Sequence, residues 1–339
     1  MIKPDAQVLV IVVARIGDTL LVTPALRALR EAIPQGKLTV LAHPKRLEVL
    51  QHLPFIDTLA GITKTSATTR GWIGKSRFDL ALVYGHDAAL LRYALRESDS
   101  VIAFKQRDKA LNGRLAHAVA DPEVPQHAVL HRLSLLAPLG LASPPDLRLA
   151  YGVTDAERAE ARLWLGAHVP AGRPLIGLQI ASFPTKAHRD WPVSSFQELM
   201  GCVLATHTQA QFLLLGDKAA AEKAEPLLAA CPNHAALAAG RMSLRRSAAL
   251  MAELDLYIGV DTGPTHIAGA LGMPMVALYH SAYPGRNLVP LQHPACFMIE
   301  HPLTGKSADT TPSMADITVA AVLQAAQDLL AGLKAGKRP

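Results

Sequence analysis

The sequence predicts an α/β protein built from two doubly wound parallel-sheet domains. Three observations carry this prediction. Short continuous apolar runs rich in Val, Ile and Leu are what central strands covered on both faces require. Stretches with helical spacing of apolar residues separate those runs. The alternation pauses between about residues 137 and 172 and then starts again. With 339 residues, 50% of them hydrophobic and 18% charged, the chain is long enough for two buried cores.

In chain order, Gln7 to Ala14 reads as the first strand. Gly17-Asp18 follows, and from Thr19 the residues Leu20, Leu21, Ala25, Leu26 and Leu29 fall at helical spacing until Pro34 and Gly36 stop it. Lys37 to Ala42 and Phe78 to Val83 read as further strands. Pro138, Gly140 and the pair Pro144-Pro145 mark a linker region, which also takes in a charged helical stretch from Asp155 to Leu165 that ends at Gly166. Strand-like segments resume at Leu175 to Ile180, Phe212 to Leu215, Leu256 to Val260 and Met275 to Tyr279. An amphipathic helix from Asp316 to Leu333 leads into Gly336-Lys337-Arg338. The expected domains are therefore 1–165 and 166–339, with the last helix, about 316–334, a candidate to pack back on the first.

Composition excludes several classes. No apolar run reaches the roughly 18 residues needed to span a bilayer, and the Val8 to Ala14 run lacks the cleavage site of a secretory signal, so a cytoplasmic protein is expected. Cys202, Cys231 and Cys296 form no CxxC pair and read as reduced structural thiols. A formal charge of +6 favours an acidic partner. The cations are spread along the chain and only 5% of residues are aromatic, which argues against nucleic acid. His293, Cys296 and His301 lie close in sequence but lack a metal-ligand spacing, and no Asp-x-Asp motif stands in the polar segments, so no metal is expected.

In doubly wound domains ligands bind at the carboxyl ends of the strands. Three segments meet that condition. Ala14 to Thr19 places Asp18 at the first strand-to-helix turn, either as a helix cap or as a catalytic group. Ile180 to Pro192 carries Ser182, Thr185, Lys186 and Arg189, whose hydroxyls and cations suit a pyrophosphate; a solvated basic loop is the alternative. Gly259 to Ala268 runs a buried strand through Asp261, Thr262 and Gly263 into a helix bearing His266, and free amides at that helix start suit a phosphate. A polar cap on a structural helix is the alternative there.

These segments, with Thr23-Pro24-Ala25-Leu26 after Gly17-Asp18, Lys186 through Trp191-Pro192, Gly240-Arg241-Met242-Ser243-Leu244, and Asp261-Thr262-Gly263-Pro264-Thr265-His266, resemble glycosyltransferase family 9, which contains the ADP-heptose:lipopolysaccharide heptosyltransferases. The resemblance covers nearly the whole chain. It implies a GT-B fold of two facing Rossmann-like domains, the first binding acceptor and the second the nucleotide sugar, and inverting transfer without a metal or other cofactor. Asp18 matches the proposed catalytic base. Lys186 or Arg189 matches the cation on the donor phosphates, since two extra residues between Lys186 and Trp191 leave both eligible. Ser182, Thr262 and Gly263 match phosphate-contacting positions, Met242 a residue packed on adenine, and Asp261 and His266 residues lining the donor pocket. Glu222 is the nearest candidate for a ribose contact, with Ala220 at the stricter position. On the acceptor side, His86, Asp87 and His127 fall where members face the acceptor, although structural histidines are the simpler reading.

The implied partners are an ADP-sugar donor and an anionic lipid-linked sugar acceptor at the inner membrane surface, to which a basic face would draw a cytoplasmic enzyme without a membrane span. A protein-directed heptosyltransferase and a nucleotide-binding module without transferase activity are the alternatives.

Overall fold

A computed structural model describes residues 2–69, 77–306 and 309–334; the Gly336-Lys337-Arg338 tail lies outside the described residues. The chain divides into two compact units, Met1–Gly152 and Val153–Pro339.

The first unit holds strands β1 (Gln7–Val12), β2 (Lys37–Ala42), β3 (Thr58–Gly61), β4 (Phe78–Tyr84), β5 (Ser98–Phe104) and β6 (His117–Val119), all parallel, in the order β3-β2-β1-β4-β5-β6. β1 is central: Val10 pairs with Val40 on one side and Leu82 on the other, and Val8 to Val12 are buried, which is why five successive residues can all be apolar. The strand ends at Val12, short of the expected Ala14. The helix after it begins at Ile16 instead of Thr19, breaks after Leu20 and resumes as Thr23–Ala32. Pro24 causes little loss in the first turn of that second helix, where its missing N–H would have no intrahelical partner anyway.

The second unit repeats the topology. Strands β7 (Leu175–Gln179), β8 (Gln211–Leu215), β9 (Ala235–Leu237), β10 (Leu256–Val260), β11 (Met275–Tyr279) and β12 (Cys296–Glu300) are parallel in the order β12-β11-β10-β7-β8-β9. Read from β9, this is the strand order of the first sheet. The first and fourth strands of each sheet are neighbours, and the strand order reverses between them; in doubly wound proteins that switch point is where ligands bind.

The charged stretch read from sequence as part of the linker is a continuous helix, Asp155–His168, inside the second unit. A capping box starts it, with Thr154 Oγ1 accepting from the Glu157 amide and Glu157 accepting from the Thr154 amide. Arg245 on the Leu244–Met251 helix then donates to Glu157, tying the two helices together. Gly166 does not end the helix, since a glycine inside a helix costs only about 1 kcal/mol of helix propensity. The last helix, Val319–Lys334, contributes Val322, Ala325, Ala326 and Leu330 to the core of the second unit. Among the described residues, no helix is long and apolar enough to cross a membrane.

Candidate functional site

In the first unit the two switch-point loops follow β1 and β4. After β1, Arg15 is the N-cap and Asp18 lies in the first turn of the Ile16–Leu20 helix, with no side-chain capping bond at that N-terminus. The carboxylate instead faces Arg132 of the Ala128–Leu133 helix, with Nη2 3.3 Å from Oδ1. Its side chain is 43% exposed. At this sheet switch point the carboxylate, in the first turn of a helix, is open to solvent.

After β4, Gly85 adopts φ of +150°, a conformation that L side chains rarely adopt, and turns the chain so that His86 is exposed. Asp87 is occupied structurally. It caps the Ala88–Glu97 helix by accepting from the Ala89 and Leu90 amides and pairs with Lys64 at 2.9 Å. Burial pushes its carboxyl up, but the Lys64 contact and the two amides outweigh this and hold the net value below the usual range. His127 is buried and caps the Ala128–Leu133 helix, its Nδ1 accepting from the Val129 amide at 3.1 Å.

In the second unit the corresponding loops follow β7 and β10. Gly259 allows β10 to lie close against β7, since a Cβ there would sit 2.7 Å from Gln179 Cβ and 2.6 Å from the Tyr257 hydroxyl. After β7 the basic segment folds into a 3₁₀ turn, Pro184–Arg189, ahead of the Val193–Thr206 helix that Pro192 caps. Ser182 closes this loop: its amide and Oγ both donate to Asp190 Oδ1, at 2.7 and 2.6 Å, and Oγ also lies 2.7 Å from the Lys186 carbonyl. Trp191 anchors the end of the loop, buried against Phe196 and donating its indole N–H to the Ile317 carbonyl.

Arg189 joins the two loops. Its Nη1 donates to Asp261 Oδ2 at 2.8 Å, and its guanidinium lies over the Tyr283 ring, 3.6 Å from the centroid. Asp261 is buried, with His266 Nε2 3.7 Å from its other oxygen. Lys186 Nζ lies 5.9 Å from the same Tyr283 centroid. Hydrogen bonding from Arg189, followed by the nearby positive charges of Arg189 and Lys186, holds the Tyr283 phenol below its usual range despite partial burial. Thr262 caps the Gly263–Ala270 helix by backbone position only, its hydroxyl turned back to the Val260 carbonyl at 3.2 Å. The helix start thus presents the Gly263 amide and the positive end of the dipole next to the Arg189–Asp261 joint, an arrangement suited to a phosphate, while Pro264 has no N–H and the Thr265 and His266 amides donate to the Thr262 carbonyl.

Two expected donor residues lie elsewhere in the unit. Met242 is half-buried just before the Leu244–Met251 helix and lines a cavity of about 380 Å³, whose apolar walls include Ala161, Leu163, Trp164 and Leu250. None of Lys186, Arg189, Asp261, Thr262, Gly263 or His266 lines that cavity. Glu222 is exposed on the Lys218–Lys223 helix, and Ala220 is buried beneath it. Tyr283 and Arg132 were not singled out from sequence; each reaches its partner only through the fold, and the one available signal was Tyr283 lying just past the end of a strand.

Of the three residues weighed for a metal, the two histidines make local hydrogen bonds. His293 Nδ1 accepts from the Ala295 amide and burial lowers its pKa to about 4, while burial raises the Cys296 thiol to about 12. His301 Nδ1 accepts from the Leu303 amide and its Nε2 faces the Ser313 carbonyl.

Comparison with known proteins agrees with this architecture. The family model described as glycosyltransferase family 9 (heptosyltransferase) matches residues 73–308. Lipopolysaccharide heptosyltransferase 3 of Escherichia coli is 24% identical over 282 residues, covering 78% of this chain and 80% of its own. Among solved structures, the glycosyl transferase family 9 protein of Veillonella parvula DSM 2008 superposes with a TM-score of 0.81 at 20% identity, over 97% of this chain and 99% of that one. The E. coli ADP-heptose lps heptosyltransferase II superposes with a TM-score of 0.78 at 21% identity, again over 97% and 99%. Two parallel six-stranded sheets of identical strand order, a GT-B fold, and a family model spanning most of the sequence place this chain in glycosyltransferase family 9, the heptosyltransferases.

Proposed function

We propose that this glycosyltransferase transfers heptose, with inversion, from an ADP-heptose donor to the inner-core region of a lipopolysaccharide acceptor. The observation that supports the reading most is the convergence, at the switch point of the second sheet, of Arg189, Asp261 and the Gly263 amide at the start of the Gly263–Ala270 helix, with Lys186 and Arg189 sharing the Tyr283 ring. Such a locus neutralises a departing diphosphate with protein cations and a helix end. Lys186 is the main phosphate cation in this reading, because Arg189 is committed to Asp261 and supports the locus from beneath. Ser182 shapes the loop, and Thr262 and Gly263 receive the phosphate, with Asp261 and His266 behind them. Met242, on the wall of its own apolar cavity, is the residue assigned to adenine in this reading, and Glu222 is the one assigned to the ribose. Asp18 accepts the proton of the acceptor hydroxyl as it attacks the anomeric carbon, and one such carboxylate suffices for inversion. His86, Asp87 and His127 are the residues assigned to the acceptor side in this reading, and Asp87 and His127 each also cap a helix.

The ADP-heptose donor is also named in the E. coli relative of the same fold, and lipopolysaccharide in the curated E. coli relative. In this reading the net positive charge of +6 draws the enzyme to the anionic inner leaflet as a peripheral protein of the cytoplasmic side. The test is thermal unfolding with ADP, UDP and GDP supplied separately: ADP should stabilise most, by an amount set by ligand concentration over dissociation constant. Equal or greater protection by UDP would remove the adenine assignment.

A further inference from the structure

Asp18 and three further side chains form a continuous hydrogen-bonded chain. Arg132 donates Nη2 to Asp18 Oδ1 at 3.3 Å, and its Nη1 lies 3.0 Å from His131 Nδ1. His131 Nε2 in turn lies 3.0 Å from Asp121 Oδ1. Arginine has no acceptor, so Nδ1 of His131 must be the acceptor toward Arg132, and the imidazole proton sits on Nε2, where it donates to Asp121. The network therefore selects one neutral tautomer. Burial, then the neighbouring Arg132 charge, pulls the His131 pKa down and favours that neutral form, against the opposing pull of Asp121; His86 adds a further lowering. The ring packs against Phe104, with centroids 4.4 Å apart and planes tilted by 31°.

We propose that Arg132 and His131 are positioning residues for Asp18: they fix its Oδ1 and so direct Oδ2 to the incoming acceptor hydroxyl. The inference rests on the reading of Asp18 as the base. A flexible carboxylate in the first turn of a short helix would sample several rotamers, and a base must meet its proton within hydrogen-bond reach. Arg132 restrains the carboxylate, His131 restrains Arg132, and Phe104 with Asp121 restrains His131. Because Nδ1 is the group that matters, Asn at position 131 can supply an amide oxygen in nearly the same place, while Leu cannot.

The experiment compares the wild-type protein with Arg132→Ala, His131→Leu, His131→Asn and Asp18→Asn. ADP release from ADP-heptose is followed with a lipopolysaccharide-core acceptor, and ADP affinity is measured separately by calorimetry. Arg132→Ala and His131→Leu should each lower kcat on the order of tenfold, as expected for misplacing a catalytic group, with ADP affinity unchanged. His131→Asn should recover most of the loss. If Asp18→Asn abolishes turnover while Arg132→Ala and His131→Leu keep wild-type kcat, the positioning role is overturned and the base assignment stands. If Asp18→Asn itself turns over normally, the base assignment falls, and the positioning role with it. Parallel losses of kcat and ADP affinity in His131→Leu, unrelieved in His131→Asn, would show general disruption and overturn the proposal.

Discussion

Each unit places an aspartate and an arginine together at its switch point, and the two pairs differ in burial. Asp18 and Arg132 have side chains 43% and 21% exposed and meet at 3.3 Å; Asp261 and Arg189 are 5% and 16% exposed and meet at 2.8 Å. An ion pair in contact with water contributes at most about 1 kcal/mol. A buried pair contributes little net stability either, but removing one partner strands a charge. The first pair therefore leaves its carboxylate available for chemistry, whereas the second fixes the joint between two loops. Under the proposed mechanism the same two residue types serve a reactive and a structural purpose according to solvent access.

The largest effect should come from Asp18. Since no side-chain capping bond is made at the start of its helix, Asp18→Asn should leave folding and ADP affinity nearly intact. Turnover should fall by roughly 10² to 10⁴ fold if Asp18 is the general base. Steady-state kinetics reads this directly, and near-normal kcat would make the exposed pair as structural as the buried one.

Stability should show the opposite ranking. Arg189→Ala leaves Asp261 buried without its guanidinium and should destabilise the protein by about 3–5 kcal/mol, whereas Arg132→Ala should cost less than about 1 kcal/mol. Denaturant midpoints of the two variants, measured side by side, check the contrast. Equal losses would mean that burial does not distinguish the pairs.

A smaller effect, and one that depends on pH, is expected at Glu157. Chiefly the Arg245 hydrogen bond, against the upward pull of burial and aided by the Thr154 contacts, lowers its pKa to about 2. A carboxylate whose folded pKa is depressed stabilises the fold above its unfolded value and loses that contribution as pH falls through the folded one. Glu157→Gln keeps the capping geometry but removes the charge, so it should cost about 1–3 kcal/mol at neutral pH. That difference should shrink as pH falls from about 4.5 toward 2. A cost independent of pH would show that the Arg245 charge contact contributes nothing.

The sequence by itself determined the α/β class, the positions of most central strands and the loops that carry polar chemistry. Those features are local: buried parallel strands demand unbroken apolar runs such as Val8 to Val12 and Leu256 to Val260, and a ligand loop must follow such a run directly. Edge strands were harder to see. β9 is three residues long and Ala-rich, and β12 exposes Phe297 and Met298, so neither carries the signal of a covered strand. The Asp155–His168 helix read as linker because Gly and Pro surround it in sequence, while the capping box and the Arg245 contact that place it in the second unit depend on three-dimensional proximity. The tertiary structure alone decided which charged residues are partners. Asp18 meets Arg132 across 114 positions of chain, and Arg189 meets Asp261 across 72. No periodicity or spacing encodes such pairs, because they arise when segments distant in sequence meet in the fold: the loops after the neighbouring strands β7 and β10 bring Arg189 to Asp261, and the Ala128–Leu133 helix brings Arg132 to Asp18, while burial then sets whether the carboxylate stays open to solvent or is enclosed with its partner.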